Sequence, residues 1–374
     1  MSVPAREPVS DGPLAARLSA RIARDGPLTV EEFMQACLSD EDAGVYASRQ
    51  PIGGKGDFIT SPEISQMFGE LLGLWVVAVW QTMGEPSRVT IAELGPGRGT
   101  LMADASRAWR GVPKFLDSVS VALIETSPVM VEAQRKTLED SGAPLRWYAA
   151  LDAVPEGPLI LIANEFVDAL PIRQFIRRGK AWHERLIASD GRGGFAFIDG
   201  EAQDEHRQLP HSAPEGAILE TRPAAHALMR DLGRHAEHAP LAALIVDYGH
   251  EEPGFGDTLQ AVRGHRFADV LTDPGAADLS AHVDFADLKR EAVAAGLNAF
   301  GPMPQGEFLL KLGLGERRER LLRRATPAQA EAITSGGARL VDPRQMGVLF
   351  KALALTSAGL APPPPFGHQH LALS

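Results

Sequence analysis

Residues 88–110, RVTIAELGPGRGTLMADASRAWR, set an apolar run, three glycines within five residues and an amphipathic run end to end. Glycines this dense imply a backbone that must turn where side chains are not tolerated, and that something other than a side chain lies against it. The same texture continues downstream. SVSVALIE reads as a strand, PVMVEAQRKTLED as a helix, RWYA and PLILIANEF as strands, and LAALIVDYG as a later strand. Strands alternating with helices across tight turns predict an α/β fold with a parallel, doubly wound sheet. A ligand site is then expected at the carboxyl edge of the strands, where the glycine turn lies.

Around this sheet the chain carries additions. Residues 1–87 read as helical. LAARLSARIARDG has apolar residues at helical spacing and is stopped by Gly26-Pro27, and Thr29 with Glu32 forms a capping box opening a helix through about Leu38. RQPIGGKGDFITSPEIS is a polar loop in which Ser61-Pro62-Glu63 reads as the cap and first turn of QMFGELLGLWVVAVWQTMG, a helix expected to be buried with Trp75 and Trp80 in the core. Residues 88–360 form the sheet domain. Within it, 172–200 predicts an antiparallel insertion and 308–340 two charged helices before MGVLFKALAL, a final strand; 361–374 reads as a flexible tail.

Bulk properties exclude several classes. Cys37 is the only cysteine, so an intramolecular disulfide and a cysteine-built metal site are ruled out, and a small buried apolar role is expected. A net charge of −11 argues against a nucleic-acid partner, and the basic stretches RQFIRRGKAWHER and KLGLGERRERLLRR read as solvated faces. No apolar run approaches the ~18–20 residues that cross a bilayer, so no membrane insertion is expected. The start, MSVPAREPVSDGPLAARL, has neither an apolar signal core nor the acid-free pattern of a transit peptide, which leads to the expectation of a cytoplasmic protein. His265, His282, Asp273 and Asp284 match no metal-ligand spacing, and no metal is expected.

The glycine turn narrows the ligand. Dinucleotide sites carry G-x-G-x-x-G, whereas Gly95, Gly97 and Gly99 give G-x-G-x-G and put Thr100 where the third glycine would fall. Glu93, two residues before the turn, would repel a pyrophosphate but suits a ligand bearing an amino group and a sulfonium. Glu125 ends the second strand, where an acid can accept from both hydroxyls of a ribose. Together these point to S-adenosyl-L-methionine. The polar Thr60, Ser61 and Glu63 are expected to close over that cofactor.

The stretches GDFITSPEIS, FGELLGLW, ELGPGRGTLMAD, ANEFVDALPIRQF, VDYGH, GTLQAVRGHR, DLSAHVDF and QGEFLLKLG resemble the MidA-like family of S-adenosylmethionine-dependent methyltransferases, which includes the mitochondrial complex I assembly methyltransferase. The resemblance runs from about Asp57 to Lys311. It implies a class I methyltransferase (Rossmann-like) fold with an N-terminal helical cover. It also implies methylation of a protein arginine, with symmetric dimethylation of the large NADH dehydrogenase subunit as the family's example. The family motif falls on Gly95, Pro96, Gly97, Gly99 and Thr100 for the cofactor turn and on Glu125 for the ribose. It places Asn164, Glu165 and Asp168 beside the cofactor. The targeting peptide of the mitochondrial relatives is not recognisable here.

An arginine acceptor is cationic, with a pKa above ~12. Paired carboxylates can hold its fork and aim one nitrogen. Glu165 and Asp168, just beyond an apolar strand in ANEFVDALP, are the expected acceptor-orienting pair, with Asn164 nearer the cofactor. NEFVD lacks the prolines that DNA amino-methyltransferases carry at this strand end, which argues against a base as acceptor. Asp247, Tyr248, Gly249 and His250 end a later strand and face the same cleft. A small-molecule methyltransferase and a non-catalytic assembly factor binding the same cofactor stay open; the glycine spacing disfavours a nicotinamide oxidoreductase.

Overall fold

The structure, a computed structural model, describes residues 12–40, 42–45, 60–203, 210 and 212–367. Its largest sheet contains β1 (Val89–Leu94), β2 (Val119–Ile124), β3 (Leu145–Tyr148), β4 (Leu159–Asn164), β5 (Leu241–His250), β6 (Asn298–Pro304) and β7 (Phe350–Thr356). They lie in the order 3-2-1-4-5-7-6, and the two-residue strand Val283–Asp284 pairs with the end of β5. β1 to β5 are mutually parallel, while β7 runs antiparallel between β5 and β6. The order reverses between β1 and β4, which opens a crevice at their carboxyl ends. This is the expected doubly wound α/β sheet.

Helices α1 (Pro13–Asp25), α2 (Val30–Ser39), α3 (Ser61–Ile64) and α4 (Gln66–Thr82) precede the sheet. Then α5 (Thr100–Trp109), α6 (Pro128–Thr137), α7 (Pro223–Ala236) and α8 (Phe285–Ala294) alternate with its strands. Both faces of the sheet are covered, so β4 is buried along its whole length and reads as a continuous apolar run rather than an alternating one. Ile160 and Ile162 face Trp75, Met102 and Trp109 of α4 and α5; Leu159, Leu161 and Ala163 face Met229 and Leu232 of α7 and Phe285 of α8. Gly69 and Gly73 let α4 and α5 touch backbone to backbone: a Cβ at Gly73 would lie 2.7 Å from the Ala105 Cα. No helix among the described residues is long and apolar enough to cross a membrane.

Three findings differ from the sequence reading. Ser61 does not cap the long helix. It opens the one-turn α3, and the chain becomes extended at Ser65, whose Oγ caps α4 by accepting from the Met67 N–H at 3.3 Å. Residues 308–340 hold parts of three helices, Gln305–Lys311, α9 (Leu314–Leu322) and α10 (Pro327–Val341), because Gly313 breaks the first from the second at φ +97. The tail is docked as far as it is described: the Trp75 indole donates to the Pro364 carbonyl at 2.7 Å, and Phe366 lies 5.8 Å from the Phe308 ring. His368 and His370 lie outside the described residues, as does Asp57.

The remaining elements form a second layer of structure. Arg173–Arg178, Ala181–Ser189 and Phe195–Gln203 pair antiparallel, joined by Ile218–Thr221 and by Leu28–Thr29. α1 and α2 pack on this sheet through Leu14, Leu18, Phe33 and the buried Cys37, against Ile172, Ile187 and Phe195. The Thr29–Glu32 capping box is present. The basic stretches are internally paired: Arg173 bonds Glu184, Arg178 bonds Asp199, and Arg317 makes a two-pronged contact with Glu70 that ties α9 to α4 at 2.7 and 2.8 Å.

Candidate functional site

At the β1/β4 crevice the backbone is bare by construction. Gly95, Gly97 and Gly99 have φ of +59, +53 and +81, and a Cβ on Gly95 would sit 2.8 Å from the Phe166 ring. Gly99 is the N-cap of α5. Glu93, Gly95, Pro96, Gly97, Thr100, Asn164 and Glu165 line the crevice together with Thr60, Pro62 and Glu63 of the N-terminal cover. The space left between them is about 30 Å³, enough for a water molecule.

The polar atoms of this crevice are conspicuously unfilled. Glu93 is 3 % exposed, its Oε2 has no hydrogen-bond partner, and burial pushes its carboxyl up to about 8. Glu165 occupies a left-handed backbone position, φ +48, directly after β4. Its Oε1 accepts from the Ser61 N–H at 2.7 Å and from Asn164 Nδ2 at 3.3 Å, while its Oε2 has no partner. Burial pushes it up to about 7, with the Asp168 charge adding and the Ser61 donor opposing. Asn164 Oδ1, Ser61 Oγ and Asp168 Oδ1 are likewise buried without partners.

The expected residues divide by what they touch. Glu63 of α3 accepts from the Thr100 hydroxyl at the start of α5 and from Arg98 at 3.5 Å, latching the cover onto the glycine turn. Thr60 is the N-cap residue of α3. Glu125 is engaged internally: Oε1 accepts from the Thr126 and Ser127 N–H groups, and Oε2 from Gln134 Nε2 at 3.0 Å. Asp168 is buried behind Glu165. Burial raises its pKa, opposed by the Tyr248 hydroxyl and the Arg222 charge. Among the described residues Glu165 is held by Ser61 and Asn164 and not by an arginine.

Three further residues carry this geometry; the sequence reading placed Asp247 at the cleft without its role and did not single out Gln134 or Arg222. Asp247, at the end of β5, accepts the N–H groups of Phe166, Val167 and Asp168 on Oδ2 at 3.2, 2.9 and 3.1 Å, and that of Tyr248 on Oδ1 at 2.9 Å. It fixes the NEFVD turn that sets Glu165. Gln134 donates to the Gly97 carbonyl at 2.7 Å as well as to Glu125, and accepts from the Trp147 indole, so one buried amide joins the turn, β2 and β3. Its signal was a polar residue in apolar register, between Met130 and Leu138. Arg222 donates to the carbonyls of Leu170, Ala281 and His282 beside Asp168. Among the described residues, His226, Asp287 and Glu291 lie close enough to hold a metal, but Arg290 already pairs with both acids. His265, His282, Asp273 and Asp284 form no such group among them.

A bare glycine turn at the strand-order reversal, with an unfilled acid two residues before it, is the arrangement that comparison with other proteins resolves. A family profile of S-adenosyl-L-methionine-dependent methyltransferases matches residues 71–303. The chain belongs to this family. It is 38 % identical to the mitochondrial protein arginine methyltransferase NDUFAF7 homolog of Drosophila melanogaster, over 94 % of this chain and 86 % of that protein. To the human mitochondrial NDUFAF7 it is 35 % identical, over 94 % and 85 %. A Burkholderia thailandensis methyltransferase crystallised with S-adenosyl-homocysteine superposes with a TM-score of 0.81 at 28 % identity, covering 95 % of this chain and 96 % of that one. The chain is thus an S-adenosyl-L-methionine-dependent methyltransferase of the class I fold. The Drosophila and human relatives also correct the cytoplasmic expectation, which had rested on the look of the first residues and the lack of an apolar span: both are named as mitochondrial.

Proposed function

We propose that this methyltransferase modifies a guanidinium nitrogen of a protein arginine, with Glu165 and Asp168 orienting the acceptor. By resemblance, the substrate is the large subunit of an NADH dehydrogenase and the product a symmetric dimethylarginine. The observation that carries the reading is Glu165 Oε2, a buried carboxylate oxygen without a partner in the crevice beside the glycine turn, with Asp168 Oδ1 also buried and without a partner three residues on. Buried acceptors left empty are costly unless a ligand fills them. Carboxylates of this kind can hold the planar fork of a guanidinium. The curated relatives, named as protein arginine methyltransferases, support the same acceptor.

The residues present fit the cofactor. Gly95, Pro96, Gly97 and Gly99 offer main chain that a ligand can lie against, and Thr100 opens the helix above it. Glu93 and Asn164 offer empty acceptors to an ammonium group. Glu125 is proposed to grip the ribose, exchanging a main-chain contact for a sugar hydroxyl, while Thr60, Ser61 and Glu63 cover it. The cofactor, when bound, supplies a methyl group on a positively charged sulfur.

The chain's own residues then do the rest. Asp247 holds the turn, the turn aims Glu165, and Glu165 and Asp168 fix the fork. A guanidinium nitrogen that gains a carbon must shed a proton, and a carboxylate pushed up to about 7 is matched to take it. The test is transfer of labelled methyl from S-adenosylmethionine into purified NADH dehydrogenase subunits and mitochondrial extract, followed by hydrolysis to methylated amino acids. Symmetric dimethylarginine is the expected product. Label confined to small metabolites would overturn the protein acceptor.

A further inference from the structure

A second cavity, of about 270 Å³, opens between the N-terminal ends of α7 and α8 on the far side of the NEFVDALPI segment. We propose that it receives a basic side chain of the protein substrate, a lysine or arginine a few residues from the methylated arginine. This deepens the arginine reading and rests on it.

Size and charge both favour such an occupant. The volume lies just below the ~300–1,000 Å³ of pockets that enclose a whole small molecule, and suits one long side chain. Glu220, Glu252 and Asp284 line it, against a single fixed cation, Arg222. Three of the five N–H donors of Arg222 already go to main-chain carbonyls, and the side chain is buried. Asp287 also lines the cavity and is offset by His226 and Arg290. The two helix N-termini would by themselves attract negative charge. Arg222 offsets one of the three carboxylates, the other two outweigh the partial charges of the helix ends, and Asp284 already accepts from the Asp287 N–H in the first turn of α8.

The wall is fixed before anything binds. Glu220 accepts from Gln174 and from the Thr258 N–H and hydroxyl, and Thr258 in turn accepts from the His282 N–H at 2.9 Å. Ile172 and Leu288 offer apolar surface to an aliphatic stem, and the Phe255 ring, 42 % exposed, offers a face to a cation. The place is also right. Ile172 in this wall is only four residues beyond Asp168, a stretch of at most ~14 Å of extended chain. The separation is one that a peptide with its acceptor arginine at Glu165 and Asp168 can span in a few residues.

The test uses the full chain saturated with S-adenosyl-homocysteine and fluorescent peptides with a central arginine, in which lysine, glutamine or glutamate is scanned over four positions on each side. Wild type is expected to bind the best lysine peptide about tenfold tighter than its glutamine counterpart, the size of one charge-assisted contact. The variant Glu252→Gln/Asp284→Asn removes two charges and keeps a side chain that can cap α8. It should lose the lysine preference while binding the glutamine peptide as wild type does. An undiminished lysine preference in the variant, no preference in wild type, or a preference for glutamate would each overturn the proposal. Methyl transfer to the same peptides is measured alongside. If the lysine preference depends on Glu252 and Asp284 but no peptide is methylated, the arginine reading fails and the cation-binding cavity stands.

Discussion

Asp247 and Glu165 are buried acids at the ends of neighbouring parallel strands, and they live in opposite states. Asp247 has both oxygens filled by four main-chain N–H groups. Glu165 has one oxygen held by the N-terminal cover and one empty. Burial drives both pKa values up, but only at Asp247 do several backbone donors pull back against it. A carboxylate saturated by its own chain is a fastener. One left half-empty beside a bare backbone has an acceptor to offer a ligand, which is the role proposed for Glu165.

The most severe way to break that contrast is Asp247→Ala. It orphans four N–H groups, each costing about 1–3 kcal/mol when left buried without an acceptor. Destabilisation of at least ~3 kcal/mol and loss of methyl transfer are expected, read by thermal melting and by label incorporation. A variant that melts with wild type would remove Asp247 from its positioning role. Glu165→Gln should behave oppositely: transfer falls by about 10²–10⁴, with no loss of stability. The sign follows from linkage. With a folded pKa raised to about 7, Glu165 binds more protons in the folded than in the unfolded state above its ordinary 4.5. Wild-type stability therefore falls as pH rises from 4.5 to 7. The glutamine variant should lose that part of the slope in melts across the same window.

The two acids were not equally legible in the sequence. Glu165 stood out because NEFVD follows an apolar strand, and the glycine turn stood out because three glycines have few structural uses so close together. The sheet was legible for the same reason: β4 and β5 are apolar throughout, as strands covered on both faces must be. Asp247 was visible only as an acid at a strand end, since its function lies in contacts with backbone some 80 positions away. Gln134 and Arg222 were hidden likewise, each serving distant main chain whose position depends on tertiary packing. Ser61 was misread as the cap of α4 because Ser61-Pro62-Glu63 carries every local helix-start signal; Ser65, the true cap, has weaker ones.

Glu93 sharpens the comparison at the cofactor end. Burial alone pushes it up to about 8, so at pH 7 it is mostly protonated before the ligand arrives. A cationic ammonium group beside it favours the ionised form. Binding of S-adenosyl-homocysteine at pH 7 should therefore release roughly 0.9 proton, seen by calorimetry in buffers of different ionisation enthalpy. Affinity should rise about tenfold from pH 6 to pH 7 and less from pH 8 to pH 9. Glu93→Gln should abolish both the release and the pH dependence and weaken binding by about tenfold. Unchanged proton release in the variant would place the ligand's amino group elsewhere.

The smallest effect belongs to the latch. Glu63 touches no strand and holds α3 to the turn only through Thr100 and the half-exposed Arg98. Such contacts contribute about 1 kcal/mol or less to the resting protein, so Glu63→Ala should barely move the melting temperature of the ligand-free chain. With α3 latched the space beside the turn is about 30 Å³, and α3 is expected to open and then close again over its occupant. Removing the latch removes closure and leaves opening intact. A few-fold faster dissociation of S-adenosyl-homocysteine is expected, with association unchanged or slightly quicker, measured by stopped-flow fluorescence. If the variant instead loses as much stability without ligand as it loses affinity, Glu63 is a helix-end fastener of the Asp247 kind, and the cover plays no part in holding the cofactor.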